Sequence, residues 1–143
     1  MPYLTFVLFA TMWPTPLDAD YGDAITRLLG VLHRHGVPEW FGYRKLEFTA
    51  NVGMFLPLGL LLALLPPRRW WWLALLWIPA LSLAIEFVQW RFISARFGSA
   101  MDVVANTLGG YVGATAGAAL RALIHARDRA VLRKVAGQTQ VPQ

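Results

Sequence analysis

Seven polar residues stand in or beside long apolar stretches of this chain: Asn51, Ser82, Glu86, Gln89, Arg96, Asp102 and Asn106. A charged side chain at bilayer depth costs about 2.5–3.5 kcal/mol to insert, so such residues face a protein interior and find partners there. Ser82, Glu86 and Gln89 are spaced by four and three and share one helix face; Asp102 and Asn106 are four apart and share another. Arg96 lies between the two segments, within reach of either carboxyl group, and a Glu86–Arg96–Asp102 cluster would neutralise most of the buried charge. Three chemistries fit this set. It can be a polar clamp that ties helices together, a site for the polar head of a lipid or lipid-linked molecule, or a carboxylate pair for acid–base work. No nucleophile accompanies the carboxyl groups, and His33, His35 and His125 are scattered, so neither a metal site nor a cofactor is expected. Cysteine is absent, which excludes disulfides and thiolate chemistry.

The elements that must position these residues follow from composition. The 143 residues are 57% hydrophobic and only 15% charged, against about 25% charged in an ordinary soluble domain. Disorder is excluded, and an all-α, polytopic membrane helical bundle is expected, with about four spanning helices and a short amphipathic surface helix. The expected spans cover residues 2–16, 48–65, 70–90 and 100–124, leaving 125–143 as a basic, flexible tail. The first block is short for a span and is closed by Pro14 and Pro16. Asp20 is positioned to cap the amphipathic helix, in which Ile25, Leu28, Leu29 and Leu32 mark one apolar face. Trp40, Phe41 and Tyr43 beside Arg44 and Lys45, and Trp70 to Trp72 after Arg68 and Arg69, suit the headgroup level.

Charge then orients the chain. The net charge is +5, but the basic residues gather at the ends of apolar blocks, so the excess reads as a topology signal and not as nucleic-acid binding. The Arg68–Arg69 turn and the basic tail point to a cell-membrane protein with both termini in the cytoplasm. Asn51, Ser82, Glu86, Gln89, Asp102 and Asn106 then all fall in the outer half. Gly109, Gly113 and Gly117, four apart, form a face that a second helix can approach closely. That face serves packing within the monomer or, as the second choice, a homodimer. Gly53, Pro57 and Gly59 are expected to loosen the helix below Asn51 and to take part in packing.

Three segments together resemble the VanZ-like family of small bacterial membrane proteins. Asn51 to Gly59 is similar to the family's N-x-x-x-F-x-P-x-G, and Ser82 to Gln89 to its S-x-x-x-E-x-x-Q. Arg96, Asp102, Asn106, Gly109 and Gly113 match its R-x5-D-x3-N-x2-G-x3-G. The resemblance makes residues 1–124 a VanZ-like transmembrane domain. The family's namesake is associated with low-level resistance to teicoplanin, a lipoglycopeptide that acts outside the membrane. The expected function is therefore a non-enzymatic modulation of the cell envelope or of teicoplanin susceptibility. The expected partners are membrane lipid and the headgroup of a lipid-linked envelope precursor or lipoglycopeptide. The alternatives are a membrane enzyme that uses a carboxylate general base on an envelope lipid, and an assembly protein whose polar cluster only locks helices.

Overall fold

The computed structural model describes residues 2–12, 17–92 and 99–138, and all regular structure among them is helical. The helices are α1 (Pro2–Met12), α2 (Leu17–Arg34), α3 (Tyr43–Leu64), α4 (Ala74–Phe92) and α5 (Ala100–Gln138), with a 3-10 turn at Arg68–Leu73 leading into α4. Two stretches are long and apolar enough to cross a membrane: Tyr43–Leu64 and Arg68–Phe92. The second includes the three tryptophans, which lie in the 3-10 turn.

The remaining segments depart from the expected spans. The described part of the first helix has 11 residues, about 16 Å at 1.5 Å per residue, which is less than a span needs; positions 13–16 of the expected span lie outside the described residues. The α5 helix is long enough, but its glycines, alanines and polar residues leave it below the hydropathy of a span. It also does not stop at residue 124. Residues 125–138 continue as helix where a flexible tail was expected. No Gly or Pro occurs from Ala118 to Ala136, and Ala, Leu, Arg and Lys propagate helix well. The amphipathic helix begins at Leu17, so Asp20 lies inside it and not at its cap.

The centre of the fold is the α3–α5 pair. A Cβ built on Gly109 would overlap the backbone of Val52, one on Gly113 the carbonyl of Leu56, and one on Gly59 the carbonyl of Gly110. At Gly117 the nearest atom, the Leu60 carbonyl oxygen, would be 2.9 Å away. Steps of four along α3 meet steps of four along α5 in the same direction, so the two helices run parallel with their backbones in contact. The Gly109, Gly113 and Gly117 face is thus filled by α3 of the same chain. Gly53 is different: it is exposed, and a Cβ there would meet nothing. Pro57 sits inside α3 without ending it.

The α4 helix runs antiparallel against this pair. Ile78 packs over Gly110, Ser82 meets Asn106 one turn further on, and the Tyr111 hydroxyl donates to the Leu75 carbonyl at 2.9 Å. The α1 helix lies across α3 and α4. Its Val7 is fully buried, and its Tyr3 hydroxyl donates to the Met54 carbonyl at 2.7 Å. Since Met54 lies midway along α3, α1 reaches only half the depth of the bundle. The core is Val7, Phe55, Leu58, Ala63, Ala74, Ile78, Ile85 and Ala114. The outer surface is apolar too: Leu76, Trp77, Leu83, Phe87 and Trp90 of α4 are all more than half exposed, while Ser82, Glu86 and Gln89 of the same helix are buried. Polar inside and apolar outside is the pattern that hydrocarbon surroundings select. At the far end, the Arg121 guanidinium donates to the carbonyls of Leu64 and Pro66, satisfying acceptors that the end of α3 leaves unpaired.

The glycine contacts make a paired prediction. Gly113→Ala should force the α3 and α5 backbones apart and cost about 2–3 kcal/mol, at the upper end of overpacking penalties. Gly53→Ala should be neutral or stabilising by up to about 1 kcal/mol from helix propensity. Thermal unfolding of the two detergent-solubilised variants, followed by circular dichroism, checks both signs.

Candidate functional site

The polar residues gather at one end of the bundle, where α3 and α5 begin and α1 and α4 finish. Three bonds between helices, and one to the residue that precedes α5, hold them. The Asn51 amide donates to Asp102 Oδ1 at 3.0 Å, joining the third turn of α3 to the first turn of α5. The Asn106 amide donates to Ser82 Oγ at 3.1 Å, joining α5 to α4. The Gln89 amide donates to the Thr11 carbonyl at 2.7 Å, joining α4 to the last turn of α1. Glu86 Oε2 accepts from the Ser99 backbone N–H at 2.6 Å. Ser99 stands just before α5 and its hydroxyl accepts from the Met101 N–H at 3.2 Å, capping that helix. The Glu86 carboxylate therefore sits at the positive end of α5, where a helix stabilises an anion.

These bonds surround a cavity of about 260 Å³, slightly smaller than the roughly 300–1,000 Å³ of most small-molecule sites. Its polar wall is Thr11, Glu47, Asn51, Glu86, Gln89, Asp102 and Asn106. Ile25 of α2 and Tyr43 also line it, so the amphipathic helix lies beside the opening. The end of α2 is tied down by the His33 ring, whose Nε2 is 3.1 Å from the Phe41 carbonyl oxygen. Leu28 and Val31 of α2 stay largely exposed.

Of the seven residues singled out by sequence, five line this cavity: Asn51, Glu86, Gln89, Asp102 and Asn106. Ser82 stands behind it, fully buried, and holds Asn106. Arg96, and with it the Glu86–Arg96–Asp102 cluster, lies outside the described residues. Thr11, Glu47 and Ser99 were missed. Glu47 was open to detection, since it precedes Asn51 by four and shares its helix face. Ser99 and Thr11 contribute backbone atoms, which no side-chain pattern reveals. Among the described residues, no group of three or more His, Cys, Asp or Glu side chains is placed to hold a metal ion.

Asn106 is the tightest point of the site. It is only 2% exposed, and its Oδ1 has no hydrogen-bond partner. Ser82→Ala would leave the amide donor unpaired as well, at a cost of about 1–3 kcal/mol. Asn106→Leu in the same background should recover part of that loss, because it removes the stranded polar group. A double-mutant thermal-stability cycle over these positions checks for the non-additivity that direct contact requires.

No curated protein and no solved structure matches the chain. A family model described as VanZ/LLP1 does match, over residues 2–121, which takes in α1 to α4, the first part of α5 and every residue that lines the cavity. On that match, and with two helices fit to cross a membrane, the chain belongs to the VanZ/LLP1 family.

Proposed function

We propose that this protein is a bacterial cell-membrane protein that modulates the envelope by holding the polar headgroup of an amphipathic molecule, lipid-linked or lipoglycopeptide, in the cavity at its polar end. One observation carries the reading: Asn51, Glu86, Gln89, Asp102 and Asn106, drawn from three helices and separated by up to fifty-five positions, line a single cavity. A bundle that needed only internal bonds would close that space. The volume of about 260 Å³ admits part of a headgroup, not a whole glycopeptide.

In the proposed topology the cavity opens to the outside. Arg68, Arg69, Arg121, Arg127, Arg129, Arg133 and Lys134 all lie at the opposite end or beyond it, and basic residues near span ends mark the cytoplasmic side. The α3 and α4 helices and the first part of α5 make three crossings. The short α1 directs its N-terminus toward the cytoplasm as the fourth element. The tail of α5 then projects into the cytoplasm as a basic helix.

A second reading has support of its own. The Asn51–Asp102, Ser82–Asn106 and Gln89–Thr11 bonds each join two helices, so the cluster also locks the bundle. Susceptibility separates the two readings. Expression in a host lacking the gene should lower teicoplanin susceptibility at least twofold, and Glu86→Gln and Asp102→Asn should remove the protection at matched abundance. Equal protection by both variants would contradict the assignment of the site. A fall in abundance with no separate loss of protection per molecule would favour the lock.

A further inference from the structure

The opposite end of the bundle carries an open cleft of about 490 Å³, between the end of α3 and the part of α5 that runs on beyond it. Three basic side chains line it: Arg68 from the turn after α3, and Arg121 and His125, one turn apart on the same face of α5. Leu64 and Ile124 supply apolar wall. Among the described residues lining the cleft there is no carboxylate. The sequence explains why. No acid occurs from Phe48 to Ile85, and the only one after Asp102 is Asp128, three residues beyond His125 on α5.

Arg121 is held in place without being used up. Its guanidinium has five N–H donors, and two of them go to the carbonyls of Leu64 and Pro66. Both partners are neutral, so the charge of this half-buried side chain stays uncompensated. The Arg68 guanidinium and the His125 ring are exposed and take no polar partner among the described residues. Donors and positive charge with no acceptor to match them call for an anion, and a guanidinium suits the oxygens of a phosphate best. The depth of the cleft fits the same chemistry. Trp70 and Trp72, in the turn that Arg68 opens, are exposed, and the Arg69 guanidinium lies 5.5 Å from the centre of the Trp70 ring. Aromatic rings beside basic residues mark the headgroup level. Leu65, Leu120 and Leu123, chain neighbours of the lining residues, are also exposed and offer a surface to acyl chains.

We infer that this cleft binds the phosphodiester of an anionic phospholipid, in the cytoplasmic leaflet of the proposed topology. Arg121 presents its remaining N–H groups to the phosphate oxygens, Arg68 adds a second cation, and His125 offers an N–H in either tautomer. A zwitterionic phospholipid fits less well. Its own ammonium already compensates the phosphate and would stand among basic side chains with no carboxylate to receive it. Basic pockets at the cytoplasmic ends of membrane helices suit anionic headgroups in this way. The inference concerns different residues from the polar cavity, at the other end of the bundle, and stands whether or not that cavity holds a headgroup.

Native mass spectrometry of the full chain in detergent tests this, with phosphatidylglycerol and phosphatidylcholine of identical acyl chains. Phosphatidylglycerol should be retained at least fivefold more strongly by the wild-type chain. Arg121→Gln would also uncap α3, so the exposed positions carry the test. Arg68→Gln combined with His125→Gln should cut the preference at least threefold, with helix content unchanged by circular dichroism. Arg133→Gln removes a positive charge from the projecting part of α5, away from the cleft, and should leave the preference as it is. Equal retention of the two lipids by the wild-type chain overturns the inference. So does a loss in Arg133→Gln as large as in the double variant, which would trace the preference to diffuse charge and not to the cleft. Displacement of the lipid by an equal concentration of glycerol 3-phosphate would assign the cleft to a soluble phosphate ester and overturn the lipid assignment.

Discussion

The close approach of α3 and α5 depends on the missing side chains of Gly59, Gly109 and Gly113, and the fit of α4 against α5 on that of Gly110. Where a Cβ would stand, the neighbouring backbone already is, or, at Gly110, the Ile78 side chain. In hydrocarbon there is no hydrophobic drive to hold helices together, so contact area between backbones has to do it. Parallel neighbours in register have a further consequence. The first halves of both helices come to the same end, and with them Asn51, Asp102 and Asn106. The α4 helix, antiparallel to both, brings the last turns that carry Ser82, Glu86 and Gln89 to that end as well. The glycine seam therefore sets the depth at which the polar residues meet.

The polar end in turn completes the bundle. Each amide closes a bond to another helix, and the Glu86 carboxylate is placed at the start of α5 through the Ser99 N–H. At the other end, Arg121 takes up the carbonyls left at the end of α3. The two ends thus have different jobs. One is sealed by a basic side chain on backbone acceptors. The other encloses a cavity whose most buried polar residue, Asn106, keeps an acceptor unsatisfied.

Much of this was legible in the sequence because the costs are one-sided. A Glu or Asp in an apolar block has few places to go, so Glu86 and Asp102 announced a shared interior. Glycines at intervals of four announced a close helix contact. Which helix would fill that face was not legible, since small residues show that something approaches without naming it. Gly53 illustrates the limit: it lies in the same segment as Gly59 and was expected to pack, yet it faces outward. The extent of α5 was misjudged because a basic, polar stretch reads as solvated, and solvation does not forbid a helix of Ala, Leu and Arg. Glu47 escaped notice because it lies among Arg44 and Lys45, where an acidic residue passes as surface charge.

The central claim is that the polar cavity opens to the outside while the basic helix lies in the cytoplasm. The chain has no cysteine, so single thiols can be placed without removing any. Ala50 lines the cavity and is exposed, and Ala126 lies on the projecting part of α5. Labelling of intact cells with a membrane-impermeant maleimide is the direct measurement. The account predicts that Ala50→Cys reacts in intact cells and that Ala126→Cys reacts only after permeabilisation. The reverse pattern would contradict it, placing the cavity on the cytoplasmic side, away from any extracellular headgroup.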